Sequence, residues 1–211
     1  MAYWSRVIPV DCRHCRSLES NVIPIPKDVS ILIVDSNVNR GLVDSEYNSR
    51  RKQCEEAARL LRVKAQRDIS LSDLEKRMSE LPIEVAKRAV HVVSENERTL
   101  AAADALAASN LKRLSKLMAE PHQSMRDDFE ITVPAVDLIV DTIGSVIGEQ
   151  GGVRMTGGGF GGCVVALLAP HLIQDVTDAL AATYERETGL RGSIMVCKAS
   201  EGSGSLAGPS V

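Results

Sequence analysis

The chain has 211 residues, enough for one large domain or two small ones, and a formal charge of −3 that argues against a nucleic-acid surface, which is normally basic. No apolar run approaches the length of a membrane span, and Met1–Arg6 lacks the apolar core of a signal peptide, so a soluble, cytoplasmic protein is expected. Five cysteines, an odd number, do not suggest a disulfide framework; Cys12 and Cys15, with His14 between them, form a lone C-x-x-C without the four ligands structural zinc needs.

Residues 1–20 read as an irregular N-terminal remnant, residues 21–199 as the folded domain and residues 200–211, rich in Gly and Ser, as a flexible tail. Val22–Pro26 is extended by proline geometry, and Ser30–Asp35 is a short apolar run with β-branched residues, a buried strand. A helix starts near Asp44 or Ser45 and repeats Tyr47, Cys54 and Leu61 every seven positions, which predicts an inward-facing Tyr47. Ser70 or Ser72 caps a short helix through Met78. A long helix follows from about Glu84 to Ala108, and Asn110 opens another. His122–Glu130 reads as a polar connection. Thr132 then caps a helix with Pro134 in its first turn and Val136, Ile139, Val140, Ile143 and Ile147 on one face, ended by Gly148.

Strands are expected at Gly152–Met155 and Cys163–Leu168, a helix at His171–Glu187 and a last strand at Ser193–Cys197. The order is strand, helices, strand–glycine corner–strand, helix, strand. It predicts an α+β fold: a ferredoxin-like split βαβ sheet with additional helices.

Between the paired strands stand five glycines in six positions, Gly157, Gly158, Gly159, Gly161 and Gly162, interrupted by Phe160. Such density calls for left-handed backbone or close approach, and successive exposed N–H groups in a turn form an anion cradle; the plainer reading is a hairpin corner that needs small residues. The loop satisfies G-x-G-x-x-G, but a helix precedes it and a strand follows, the reverse of a dinucleotide site. No V-A-I-K, H-R-D or D-F-G motif accompanies it as in protein kinases, and no Lys-Ser or Lys-Thr pair closes it as in a Walker loop.

Two other places compete. At the helix N-terminus Ser45–Arg51, backbone N–H groups and the dipole favour a polar or anionic ligand. Tyr47 offers a ring for a sugar face and a hydroxyl, or else is a core tyrosine with a satisfied hydroxyl. Met125–Glu130 carries adjacent carboxylates that suit metal or base chemistry, or else a solvated loop with an Arg–Asp pair.

The segments Val34–Arg40, Ser45–Glu55, Ser124–Pro134 and Gly151–Gly162 closely resemble, in order, the later half of bacterial galactokinases, members of the GHMP small-molecule kinases, over roughly residues 15–205. The resemblance implies the GHMP kinase C-terminal domain and an activity that phosphorylates C1 of galactose with ATP and Mg²⁺. It implies a sugar contact at Tyr47, and a third signature motif at the glycine segment that packs beside the nucleotide phosphates. The galactose-recognition motif with Gly-Glu-His-x-Asp-Tyr, the Gly-Leu-Ser-Ser-Ser-type phosphate loop and the Met-Asp-Gln segment with the catalytic aspartate do not occur, nor do the family's magnesium ligands. The expectation is therefore a galactokinase lacking its N-terminal catalytic lobe, inactive alone, with self-association through an exposed interdomain face. The alternatives are a non-catalytic galactose- or nucleotide-sensing module and a kinase of a related sugar such as N-acetylgalactosamine.

Overall fold

The computed structural model describes residues 9–13, 16–17, 19–26, 28–39 and 43–197. His14, Cys15 and the tail 200–211 lie outside them, and with them the C-x-x-C and flexible-tail readings. Strands β1 (Pro9–Arg13) and β2 (Ser20–Pro24) pair antiparallel, Pro9 opposite Pro24 and Arg13 opposite Ser20. This hairpin occupies part of the stretch expected to be irregular.

The main sheet contains β3 (Ser30–Asp35), β4 (Gly151–Thr156), β5 (Cys163–Leu168) and β6 (Ser193–Cys197), in the spatial order β4-β5-β3-β6 with every neighbour antiparallel. Five helices separate β3 from β4: α1 (Val43–Leu60), α2 (Leu71–Arg77), α3 (Ile83–Ala107), α4 (Leu111–Asp127) and α5 (Pro134–Ile147). Helix α6 (Ile173–Thr188) separates β5 from β6. This is the split βαβ arrangement, with a long helical insertion in its first crossover.

The strand pattern explains the layers. Residues of alternate parity face opposite sides. Leu32, Val34, Val153, Met155, Val164, Ala166 and Leu168 form one buried face under α5 and α6. All five apolar residues expected on one face of α5 are buried there. On the other face Ile31, Val165 and Leu167 meet Ile23, Leu106, Leu114 and Met118 from β2, α3 and α4. Helices α1, α2 and α3 build a core of their own around Ala57, Leu61, Leu74, Val85 and Ala89.

The caps follow side-chain chemistry. Ser70 accepts a hydrogen bond from the Asp73 N–H, and Asn110 from the Arg113 N–H, each satisfying an orphan donor of a first turn. Gly189 closes α6 at φ 70°.

Three expectations are corrected. Helix α4 continues through Pro121 to Asp127, so His122–Asp127 is helical, not a solvated connection. Proline removes one helical donor, but Pro121, His122, Ser124 and Met125 are buried, and tertiary packing holds the turns beyond it. The cap of α5 is Val133 in extended geometry with Pro134 in the first position; Thr132 instead donates to Asp137 Oδ2 at 3.2 Å. Tyr47 is 55% exposed and does not face inward.

Candidate functional site

The glycine corner connects β4 to β5 and is wedged between two other segments. At Gly159, φ is +84°, and an added Cβ would stand 2.7 Å from both Cβ and the carbonyl oxygen of Ile131. That carbonyl accepts the Phe160 N–H at 2.6 Å, so it has no room to retreat. At Gly161, φ is +120° and a Cβ would meet Val38 at 3.1 Å. The Gly162 carbonyl accepts the Ser36 N–H at 2.9 Å. The corner thus sits between Ser36–Val38, which follow β3, and Phe129–Ile131, which follow α4.

Backbone strain gathers at the same place. Of the five described non-glycine residues with positive φ, three belong to these segments: Asn37 at 54°, Glu130 at 53° and Phe160 at 57°. Each such residue costs on the order of 1–3 kcal/mol and persists only when its surroundings over-determine it, which is characteristic of functional sites. Asn37 is held by its side-chain amide on the Arg191 carbonyl at 2.9 Å, and Phe160 by the hydrogen bond to Ile131.

Arg50 ties the first turns of α1 to this assembly. Its Nε donates to the Phe129 carbonyl at 2.7 Å and its Nη2 to the Glu130 carbonyl at 3.0 Å. The guanidinium also lies over the Phe160 ring, 5.9 Å from its centroid, within cation–π range. Tyr47 is three residues earlier on the same helix, spacing that places two side chains as neighbours on one face. Tyr47 and the glycine corner therefore stand at the same end of the molecule, linked through Arg50 and Phe160. The exposure of Tyr47 removes the core-tyrosine reading.

Buried polar residues hold the Phe129–Ile131 segment from behind, and periodicity gave no sign of them. Arg88, 1% exposed on α3, donates to Gln53 Oε1 at 2.9 Å, to Glu130 Oε2 at 2.7 Å and to the Asp128 carbonyl. Arg88 and then Lys87 hold the Glu130 carboxyl below its ordinary range by hydrogen bonding. Ser124 gives its one proton to Asp128 Oδ2 at 2.7 Å, so it accepts from the Nδ1–H of His91, 3.0 Å away. His91 stacks on Phe129 with centroids 4.5 Å apart, and burial pushes it down to about 4, so it is neutral. Histidine, serine and aspartate are joined here in the wrong order for a nucleophile, whose proton must pass to histidine.

His122 Nδ1 accepts from the Met155 N–H at 3.4 Å, and its Nε2 lies 3.2 Å from Asp137 Oδ1, linking the end of β4 to α5.

The carboxylates of the third candidate place do not act as a pair. Asp127 is held by Arg126 at 3.0 Å on the surface, whereas Asp128 is engaged by Ser124. No group of three or more His, Cys, Asp or Glu side chains among the described residues is arranged to hold a metal ion. No described helix is long and apolar enough to cross a membrane.

Residues 102–186 match the family model for the GHMP kinases C terminal domain. Among solved structures, the galactokinase of Lactococcus lactis complexed with galactose is 30% identical and superposes with a TM-score of 0.85, over 90% of this chain and 50% of that one. The L. major mevalonate kinase in complex with R-mevalonate is 20% identical with a TM-score of 0.55, over 89% of this chain and 47% of its own. A homoserine kinase from Cytophaga hutchinsonii is 12% identical with a TM-score of 0.54, with the same two coverages of 89% and 47%. The last two share the fold alone. The chain spans about half the length of the galactokinase it matches.

Proposed function

The chain belongs to the GHMP kinases, carrying their C-terminal domain, and on that premise we propose that it forms one wall of an ATP-dependent galactokinase site, the reaction being transfer of a phosphoryl group to C1 of galactose. The observation that supports this reading is the junction at Arg50, three residues after Tyr47 on α1, whose guanidinium meets the Phe129 carbonyl and the Phe160 ring of the glycine corner. Tyr47 would lie against the sugar, its ring on an apolar face and its hydroxyl free to hydrogen-bond.

The corner suits the phosphates of ATP. The N–H groups of Gly157, Gly158, Gly159 and Gly161 donate to no backbone carbonyl among the described residues, and nothing stands within 4 Å of the Cβ position of Gly158. A concavity of backbone donors favours an anion. When bound, ATP with Mg²⁺ supplies the phosphoryl group and neutralises charge on it; this chain's part is to orient the sugar and cradle phosphate oxygens. The 211-residue polypeptide by itself is proposed to be inactive, since the family's base, metal-ligand and phosphate-loop motifs do not occur in it.

Two measurements test this. A coupled ADP-release assay on the 211-residue polypeptide should show no galactose-dependent turnover; turnover would overturn its proposed inactivity. Saturation-transfer NMR should detect weak galactose binding that Tyr47→Ala abolishes without lowering the melting temperature, because the ring is more than half exposed. Unchanged saturation of the sugar protons in that variant would overturn the role given to Tyr47.

A further inference from the structure

A pocket of about 300 Å³ opens on the second face of the sheet, between the C-terminal half of α3 and α4. None of its lining residues belongs to the α1 face, to Phe129–Ile131 or to the glycine corner. It exists because of two local features. Gly152 on β4 has no side chain, and a Cβ there would stand 2.6 Å from the sulfur of Met118, so α4 seats directly on the sheet. Farther along, the small Ala103 of α3 lines the space together with Leu114 and Met118 of α4. Leu106, Leu114 and Met118 are each less than 10% exposed, so the lining is an extension of the core.

The lining is mostly apolar but includes two arginines. The charged residues of the lining are Arg98 from α3 and Arg154 from β4, and no acidic side chain lines it. Both guanidiniums are held by a single carboxylate that is not part of the lining. Arg98 Nη1 donates to Glu95 Oε1 at 2.9 Å and Arg154 Nη2 to Glu95 Oε2 at 3.3 Å. Glu120, 59% exposed, reaches only Arg98, at 3.8 Å. Glu95 thus bridges the two guanidiniums, and Arg154 is held further by its Nε on the Met155 carbonyl at 3.3 Å and its Nη2 near Met125 Sδ at 3.8 Å. Arginine pairs of this kind suit a carboxylate, which accepts two parallel N–H bonds.

We infer that this pocket binds a small amphipathic anion, a medium-chain carboxylate whose tail enters between α3 and α4 while its head group is taken by Arg98 and Arg154. The volume is at the lower end of ligand pockets, which limits the tail to a short acyl chain. The site is independent of the sugar-kinase reading and stands or falls without it.

Isothermal titration of the 211-residue chain with hexanoate, octanoate, octan-1-ol and octyltrimethylammonium tests the inference. Each buried methylene should tighten binding about fourfold, so octanoate should exceed hexanoate by about fifteenfold. Octanoate should also bind at least about tenfold tighter than octan-1-ol, as expected for charge-assisted hydrogen bonds, and octyltrimethylammonium should not bind measurably. Arg98→Gln should remove the preference for octanoate over octan-1-ol, and Ala103→Phe, which fills the space, should abolish binding of both. The inference is overturned if octanoate fails to bind, if hexanoate and octanoate bind alike, or if the cationic amphiphile competes with octanoate. The chain-length series uses the unaltered protein, so it decides the matter even if Ala103→Phe does not fold.

Discussion

Substituting alanine at two adjacent glycines separates the requirement for left-handed backbone and close approach from mere smallness. At Gly158 the backbone is outside the left-handed region and an added Cβ would meet nothing within 4 Å. Gly158→Ala should change stability by no more than about 0.5 kcal/mol, with a small gain possible from a less flexible unfolded chain. At Gly159, φ is +84° and the Cβ would stand 2.7 Å from the Ile131 carbonyl oxygen that accepts the Phe160 N–H. The left-handed conformation costs alanine about 1–2 kcal/mol. The overlap adds about 1–3 kcal/mol of displacement, and the unfolded-state gain returns about 0.4–1 kcal/mol. Gly159→Ala should therefore lose about 3 kcal/mol, a fall in melting temperature of roughly 6–12 °C for a chain of this size. Urea unfolding reads it directly, as a lower midpoint at unchanged slope. Equal midpoints for the two variants would refute the claim that Ile131 and the corner are locked together.

Two further outcomes concern the residues behind the corner. Arg88→Met should destabilise by about 3 kcal/mol, since Gln53 and the Asp128 carbonyl lose their donor in a buried setting while the half-exposed Glu130 is rescued by water; a loss under about 1 kcal/mol in urea unfolding would count against that. His91 is held at about 4 in the fold, first by burial, with Arg98 and Arg154 adding to the depression and Glu95 and Asp128 opposing it. Between its ordinary 6.5 and 4 the unfolded chain binds a proton that the fold refuses, so stability falls as pH drops through this window. The loss should reach about 3 kcal/mol by pH 4, and His91→Gln should flatten the slope of midpoint against pH. His122, also lowered chiefly by burial, contributes in the same direction and leaves a residual slope; an unaltered slope in His91→Gln would remove His91 from the account.

The parts of this fold that were legible from residue order are those fixed by local chemistry. Strand β3 and helix α5 were readable from alternation and from the spacing of Val136, Ile139, Val140, Ile143 and Ile147. The caps at Ser70 and Asn110 follow from short polar side chains before an apolar run. Where partners distant in sequence decide, the pattern misled. His122–Glu130 read as a polar connection, yet α4 runs through Pro121 to Asp127 because His122, Ser124 and Met125 are buried. The heptad placing of Tyr47 with Cys54 and Leu61 assumed that the core extends along all of α1, whereas only its later turns reach it. Arg88 and His91 escaped notice because a buried charge or imidazole is recognisable only once Gln53, Glu130 and Ser124 are seen to receive it. The glycine corner itself was visible from its density; what it rests on, Ile131 and Val38, was not.

The position of β3 in the middle of the sheet bears on how the polypeptide is made. Its partners β5 and β6 lie roughly 130 to 170 residues downstream, so this apolar strand leaves the ribosome long before anything exists for it to pair with. At bacterial or eukaryotic elongation speeds the wait is on the order of ten seconds. Through that interval Ile31–Val34 is a sticky, unshielded ribbon, and chaperone occupancy of nascent chains should be greatest while the helical insertion is being synthesised. It should end when β5 emerges and the sheet closes around its oldest member.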